Sequence, residues 1–516
     1  MHNKTSMTRR QALRLLGAAA AGLTLGGLPK WALGAPSSAA SLPIPTLIDA
    51  RDGEAVTLVL QKNRHRFGSG GAVPSSGISA SYLGPVVRVR SGDTIPFRVE
   101  NRLGEETTLH WHGLLIPSGV DGGPHNTIQP GAVWTPELKF NQPAATTWFH
   151  PHPHGNTARQ VYGGLAGLMI VSDGGDRDRG LPMTYGVDDI PLVLQDKRFG
   201  RDGELVYEPT MMDLMHGFQG DTLLVNGAIE PVASVPAGFV RLRLLNAANA
   251  RNFDLRFADE RPFFVVAGDA GLLPEPVEVR TLVIAPAERY EVLVDFSDGR
   301  PVDFVTAPDT HHGDGPGMMM QMGRTGAPID GIERFMRFRP DHALTATVTR
   351  LPRKLVKLPA PDIRSAVEWR TFVLNPMQGM NMAGMQAMTG AAGGAARDSG
   401  HDHAAAAQMM GINGRSFSMD RVDVTTKLGT SEIWEIVSTA MAHPFHMHGV
   451  SFRILSNNGK PPSAEQSGLK DVVLVSERAE VLVRFENLAT PRMPFMYHCH
   501  ILEHEDHGMM GQFAVV

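Results

Sequence analysis

The sequence predicts an all-β protein built from three copies of one sandwich or barrel domain, and three observations carry that reading. From about residue 43 onward, short β-rich runs such as VVRVRSGDTIPFRVEN, RYEVLVDFSDG and DVVLVSERAEVLVRFEN alternate with Gly, Pro, Asn and Asp punctuation, as antiparallel strands joined by turns do. The phrases GDTIPFRVEN (92–101), FVRLRLLNAAN (239–249) and TSEIWEIVSTA (430–440) are loosely alike and far apart, which suggests a repeated unit. A chain of 516 residues with 42% apolar and 20% charged residues is long enough for several ordinary globular cores.

Taken in order, residues 1–40 read as an export signal of the twin-arginine kind. Arg9 and Arg10 precede a short run rich in Ala, Gly and Leu, and small residues follow near 35–40. That run is shorter and less apolar than the roughly 20 residues a membrane span needs. The expected location is the periplasm, with no membrane contact in the mature form. The first β-domain is expected over 43–175, the second over 176–345 and the third over 346–516, with boundaries in SDGGDRDRG and LPRKLVKLPAPD. A net charge of −5 gives no basic field for nucleic acid, so small molecules or ions are the expected partners of a monomer.

Residues 377–410 break the β pattern. Met377, Met380, Met382, Met385 and Met388 recur at roughly helical spacing ahead of a Gly/Ala stretch that holds His401 and His403. Such methionines fill an apolar helix face in many proteins, yet thioethers are also soft ligands that prefer Cu(I). The segment is expected to be a partly helical insertion in the third domain.

Four motifs concentrate histidine: HWHG (His110, His112), WFHPHPHG (His150, His152, His154), HPFHMHG (His443, His446, His448) and HCH (His498, His500) with His504 downstream. In a strand, alternate side chains share a face, so each His-x-His pair offers two imidazoles to one metal site. One such doublet is commonplace; four, drawn from the two ends of a chain with 21 histidines, point to metal. The single cysteine, Cys499, lies between His498 and His500 and faces the other way, so it can bind a different metal while remaining covalently joined to its neighbours. Two His, one Cys and a weak axial Met form the blue-copper arrangement, and His443, Cys499, His504 and Met509 supply that set. Zinc would favour several thiolates or a closed tetrahedral shell.

In this order the four motifs resemble those of the multicopper oxidases. DDIPLVLQDKRF, DTLLVNGAIEP, LRLLNAANAR and GLLPEPVEV, with the signal and the Met-rich stretch, are similar to the bacterial three-domain copper efflux oxidases. The resemblance implies three cupredoxin-like Greek-key domains and four copper ions. It assigns type 1 copper to His443, Cys499, His504 and Met509, and type 2 copper to His110 and His446. The type 3 pair falls to His112, His150, His152, His448, His498 and His500, while His154 and His507 have no ligand role. The implied reaction passes electrons singly from the type 1 copper through Cys499 to the trinuclear site, where O2 becomes water. Glu505 and Asp121 are the expected proton donors. Met509 as axial ligand should keep the type 1 potential low.

The resemblance also places the Met-rich segment over the type 1 site, where Met441 would help bind substrate copper. Thr439 departs from the pattern, standing where an acid is expected, and HHGDGPGMMMQM (311–322) is a candidate substitute. The expected function is oxidation of Cu(I), and of some phenols, in copper detoxification. Two alternatives are a laccase acting mainly on phenols or aromatic amines and a non-catalytic copper-binding scaffold. Histidines on both sides of Cys499, together with the two N-terminal pairs, disfavour a two-domain copper nitrite reductase.

Overall fold

The computed structural model describes residues 40–310, 331–376 and 410–516. The export signal, the segment 311–322 and nearly all of 377–410, with Met377, Met380, Met382, Met385 and Met388, lie outside the described residues. No helix among the described residues is long and apolar enough to cross a membrane.

The fold is mostly β, with 46% strand and 7% helix, in cupredoxin-like domains. Six sheets form three pairs along the chain. In the first pair, Leu47–Asp49, Val86–Arg90, Gly167–Ser172, Ala145–His150 and His110–His112 make one sheet, and the other is centred on Val56–His65 and Thr94–Arg102. The second pair holds a seven-stranded sheet around Asp189–Lys197, Phe239–Asn246 and Arg289–Asp295. In the third, Ala366–Pro376 and Ser431–Ser438 lie in one sheet, and Val424–Thr426, Met510–Val515, Phe495–Cys499, His443–Met447 and Val472–Val475 make the other. Each pair encloses its own apolar cluster.

The three similar phrases occupy one topological position. Thr94–Arg102, Phe239–Asn246 and Ser431–Ser438 each pair in parallel with the first long strand of their unit, namely Val56–His65, Asp189–Lys197 and Ala366–Pro376. Their faces differ in a way that reflects position. Thr94–Arg102 alternates buried and accessible residues, as a strand with one wet face should, whereas Phe239–Asn246 is buried throughout. Arg241 and Arg243, on the face opposite Val240, Leu242 and Leu244, are therefore enclosed between units. Arg243 donates to both Asp189 oxygens (2.6 and 3.0 Å), to Glu291 Oε1 (2.8 Å) and to Thr146 Oγ1 (2.9 Å) of the first unit. Burial alone would raise the Glu291 carboxyl, but Arg241 and Arg243 outweigh it and hold it down to about 2.

The first and third units also meet directly. Thr157 and Ala158 N–H groups donate to the Asp506 carboxylate at 2.8 and 2.9 Å, and Ser118 N–H donates to Leu488 O at 3.1 Å. That contact brings the two ends of the chain to one place. The start of the described chain crosses to the middle unit instead: Leu42 N–H donates to Val232 O, and its side chain joins that unit's core.

Candidate metal centre

Strand parity places the histidines. His446 lies opposite His498 and Phe445 opposite Cys499, so His446 and His498 share one face of the third unit's sheet while Cys499 points through to the other. The three-residue step from His443 to His446 reverses the face, which puts His443 on the side of Cys499 and leaves His446 and His448 on the side of His498. In the first unit, His110 pairs directly with His150 across neighbouring strands.

On one side, His443 Nδ1, Cys499 Sγ and His504 Nδ1 form a buried triangle with edges of 3.3, 3.4 and 3.7 Å. His504 turns its Nδ1 inward because Nε2–H donates to Met215 O at 3.0 Å. Cys499 Sγ accepts the Ile501 N–H at 3.4 Å. Met509 is fully buried in the same apolar cluster, and its carbonyl accepts the Cys499 N–H. Burial pushes the Cys499 thiol up, so a bound cation is what would hold a thiolate here.

On the other side, eight imidazoles from the two chain ends converge. His110 stacks on His448 with centroids 3.8 Å apart, and His112 on His446 at 3.7 Å. Metal-sized groups recur among them: His110, His112 and His446; His112, His150 and His500; His152, His448 and His498. His110 Nδ1–H donates to Asp121 O, His446 Nδ1–H to Asp471 O and His150 Nδ1–H to Pro151 O. Their Nε2 lone pairs are thereby turned toward the centre. Among the described residues, His110 Nε2, His112 Nδ1, His150 Nε2, His446 Nε2 and both His500 nitrogens are buried without a hydrogen-bond partner. His498 Nε2 faces His448 Nε2 at 3.2 Å and His152 Nε2 at 3.3 Å. Burial drives His112, His150, His446 and His448 well below the ordinary histidine range, and His152 and His500 down to about 3. Neutral rings aiming orphaned lone pairs at one another fit a cluster of cations, and the imidazole and thiolate donors suit copper.

Both expected carboxylates reach the cluster. Asp121 Oδ2 accepts His448 Nδ1–H at 2.7 Å and lies 3.3 Å from His110 Nδ1. Gly122 makes this possible: at φ +82° it turns the chain where a Cβ would run into the Leu109 carbonyl. Glu505 lies 3.1 Å from His498 Nδ1 and 3.3 Å from His152 Nδ1. Burial would raise its carboxyl, but His152 and His498 outweigh that and hold it below the usual range. His154 is exposed against Phe417, and His507 Nδ1–H donates to Glu503 O.

A pocket of about 360 Å³ opens beside the His443 strand, lined by Met441, Thr439, Ser438, Thr310 and Glu477 among others. Thr439 Oγ1–H donates to Leu374 O at 3.2 Å, and Glu477 is the acid among the described lining residues. Sequence reasoning missed Glu477, and also Asp471, whose Oδ1 lies 3.2 Å from His112 Nε2. An acid next to a strand start carries no signal that separates it from an ordinary turn residue.

Three multicopper oxidase family models match residues 60–176, 205–317 and 393–516. Cell division protein FtsP of Xenorhabdus nematophila is 37% identical over 512 residues, 99% of each chain. The laccase-like multicopper oxidase CueO of the lignin-degrading Ochrobactrum sp., described with oxidase activity towards lignin model compounds and lignosulfonate, is 48% identical with a TM-score of 0.80, covering 92% of this chain and 100% of that one. A laccase of Pediococcus acidilactici is 33% identical with a TM-score of 0.76, over 93% and 95%. With all three models matched, and a relative this similar along its whole length, the chain belongs to the multicopper oxidase family.

Proposed function

We propose that the protein is an exported, periplasmic oxidase that takes electrons one at a time from Cu(I), and from some phenols, and delivers them to O2, with copper detoxification as its role. The observation that carries this reading is the pair of donor sets joined through one backbone. Cys499 belongs to the His443–His504 triangle, and its neighbours His498 and His500 belong to the histidine cluster. His443, Cys499, His504 and Met509 would hold a type 1 copper, His110 and His446 a type 2 copper, and His112, His150, His152, His448, His498 and His500 a type 3 pair. Copper, when bound, supplies the one-electron chemistry that couples substrate oxidation to four-electron reduction of O2 to water. The chain's own residues orient the imidazoles through Asp121 and main-chain carbonyls, keep solvent from the rings, and place the Glu505 and Asp121 carboxylates where protons are consumed. Met441 and Glu477 together offer a thioether and a carboxylate to an incoming copper ion at the pocket beside His443.

Two relatives favour other readings. The lignin-model activity given for the Ochrobactrum protein supports a laccase reading, and the name of the Xenorhabdus relative supports a cell-division role, which a non-catalytic copper-binding scaffold would serve. A protein serving only as a scaffold would have no use for neutral, inward-facing lone pairs in a buried cluster, which are costly to bury unmet. Oxygen uptake by the copper-loaded protein separates the three: Cu(I) oxidation equal to or faster than phenol oxidation is expected. Fast phenol oxidation indifferent to added Cu(II) would favour the laccase, and no uptake with either substrate would favour the scaffold.

A further inference from the structure

Arg289 opens the strand Arg289–Asp295 of the middle unit, which contributes none of the clustered histidines. It is fully buried, and all five of its N–H donors are placed. Nε donates to Thr146 O (3.2 Å), Nη1 to Ala287 O (2.9 Å) and Asp471 Oδ1 (2.7 Å), and Nη2 to Asp269 O (3.0 Å) and Asp471 Oδ2 (2.5 Å). One guanidinium thus grips the first unit at the strand that ends in His150 and the third unit at Asp471.

Asp471 in turn holds two histidines from opposite ends of the chain. Its Oδ1 lies 3.2 Å from His112 Nε2, and its main-chain oxygen accepts His446 Nδ1–H at 2.8 Å. The glycine of HWHG leaves room for the pair: a Cβ on Gly113, at φ +85°, would sit 2.6 Å from Arg289 Nη2 and 2.8 Å from Asp471 Oδ2. Asp269 fastens the far side, accepting the N–H groups of Arg289 (2.8 Å) and Val472 (3.2 Å) and the Lys470 ammonium (3.0 Å).

We propose that Arg289 is a positioning residue of the histidine cluster. Its planar fork fixes the Asp471 carboxylate so that His112 keeps Nε2–H outward and turns Nδ1 inward, opposite to His446. His112 belongs to two of the metal-sized groups, so its tautomer bears on both. Lysine offers a point charge without the parallel donors, and methionine offers neither. The inference rests on the cluster being a copper site.

The test uses the full copper-loaded chain as wild type, Arg289→Lys and Arg289→Met, and reads copper per chain, the electron paramagnetic resonance spectrum, blue absorption and melting temperature. Arg289→Met is expected to keep the blue absorption while cluster copper binds about 10- to 100-fold more weakly and is lost on dialysis. Arg289→Lys is expected to retain that copper with altered type 2 resonance parameters. Wild-type stoichiometry and spectra in both variants would overturn the proposal, as would loss of the blue absorption in step with the cluster copper, which marks global damage. If Arg289→Met does not fold, Arg289→Lys alone decides on the same readouts. A wild-type protein that takes up no copper refutes the oxidase reading instead.

Discussion

Asp121 and Glu505 approach one imidazole cluster from opposite ends of the chain, the first bound to His448 at 2.7 Å and the second 3.1 Å from His498. Neither sits in the Cys499 triangle. Asp121→Asn and Glu505→Gln are therefore expected to keep the blue absorption, to keep the cluster copper because the amide retains an accepting oxygen for the histidine N–H, and to lose turnover by about 10²-fold or more, the scale of a lost general acid. Stopped-flow oxygen reduction on copper-quantified protein checks this; unchanged turnover in both removes them from the reaction, and reduced copper makes them structural.

Cys499→Ser should abolish the intense visible absorption and the oxidase activity together while the fold persists. A hydroxyl is a poor ligand for a soft metal, and the change removes little packing volume from the cluster around Phe445 and Tyr497. A retained blue band, or a large drop in melting temperature in the copper-free form, would contradict the expectation.

Met441 lines the pocket beside the His443 strand, and its loss should fall on one substrate class. Met441→Leu keeps the apolar volume but removes the thioether, so KM for Cu(I) should rise by about tenfold or more while phenol oxidation stays within about twofold. Parallel steady-state assays with the two substrates decide it, and equal effects on both would mean that the methionine serves packing alone.

Lys197 offers a stability test remote from the cluster. Its ammonium lies 3.9 Å from the centre of the Tyr162 ring, buried and without a hydrogen-bond partner among the described residues, and burial lowers it from 10.5 to about 7. Between those values the unfolded chain keeps the proton that the folded chain has released, so stability should climb as pH rises from 7 toward 10. Lys197→Met should flatten that climb and add on the order of 1–3 kcal/mol at neutral pH. Denaturant titrations across the pH window measure the difference in slope; identical slopes would place the lysine in water.

The donors were legible because parity along a strand is a local property. The spacing in HCH fixes that Cys499 faces away from His498 and His500 before any tertiary contact is known, whereas the step from His443 to His446 gained its meaning only from the observed strand pairing. Asp471, Arg289, Arg241 and Glu291 were not legible, because alternation of charged with apolar residues reads as a wet face whenever the second layer is unknown. FVRLRLLN alternates arginine with apolar residues as a half-wet strand would, yet the solvent is not there: the strand is buried throughout and Arg243 meets Thr146 of the first unit. Glu477 was hidden for a related reason, since it approaches Thr439 only through the packing of two separate strand ends.

The placement of donors at both ends of the chain also governs how the protein can come into being. His110 and His448 stack at 3.8 Å, yet His448 and everything that completes the Cys499 triangle lie in the last quarter of the sequence. No partial product of synthesis holds either donor set, so copper capture must await the finished chain and the closure of its longest loop, the slow kind of contact in folding. Until then the histidines are loose chelators in a flexible polymer, open to any divalent ion. A chain assembled in this order benefits from finishing its fold before it meets the metal.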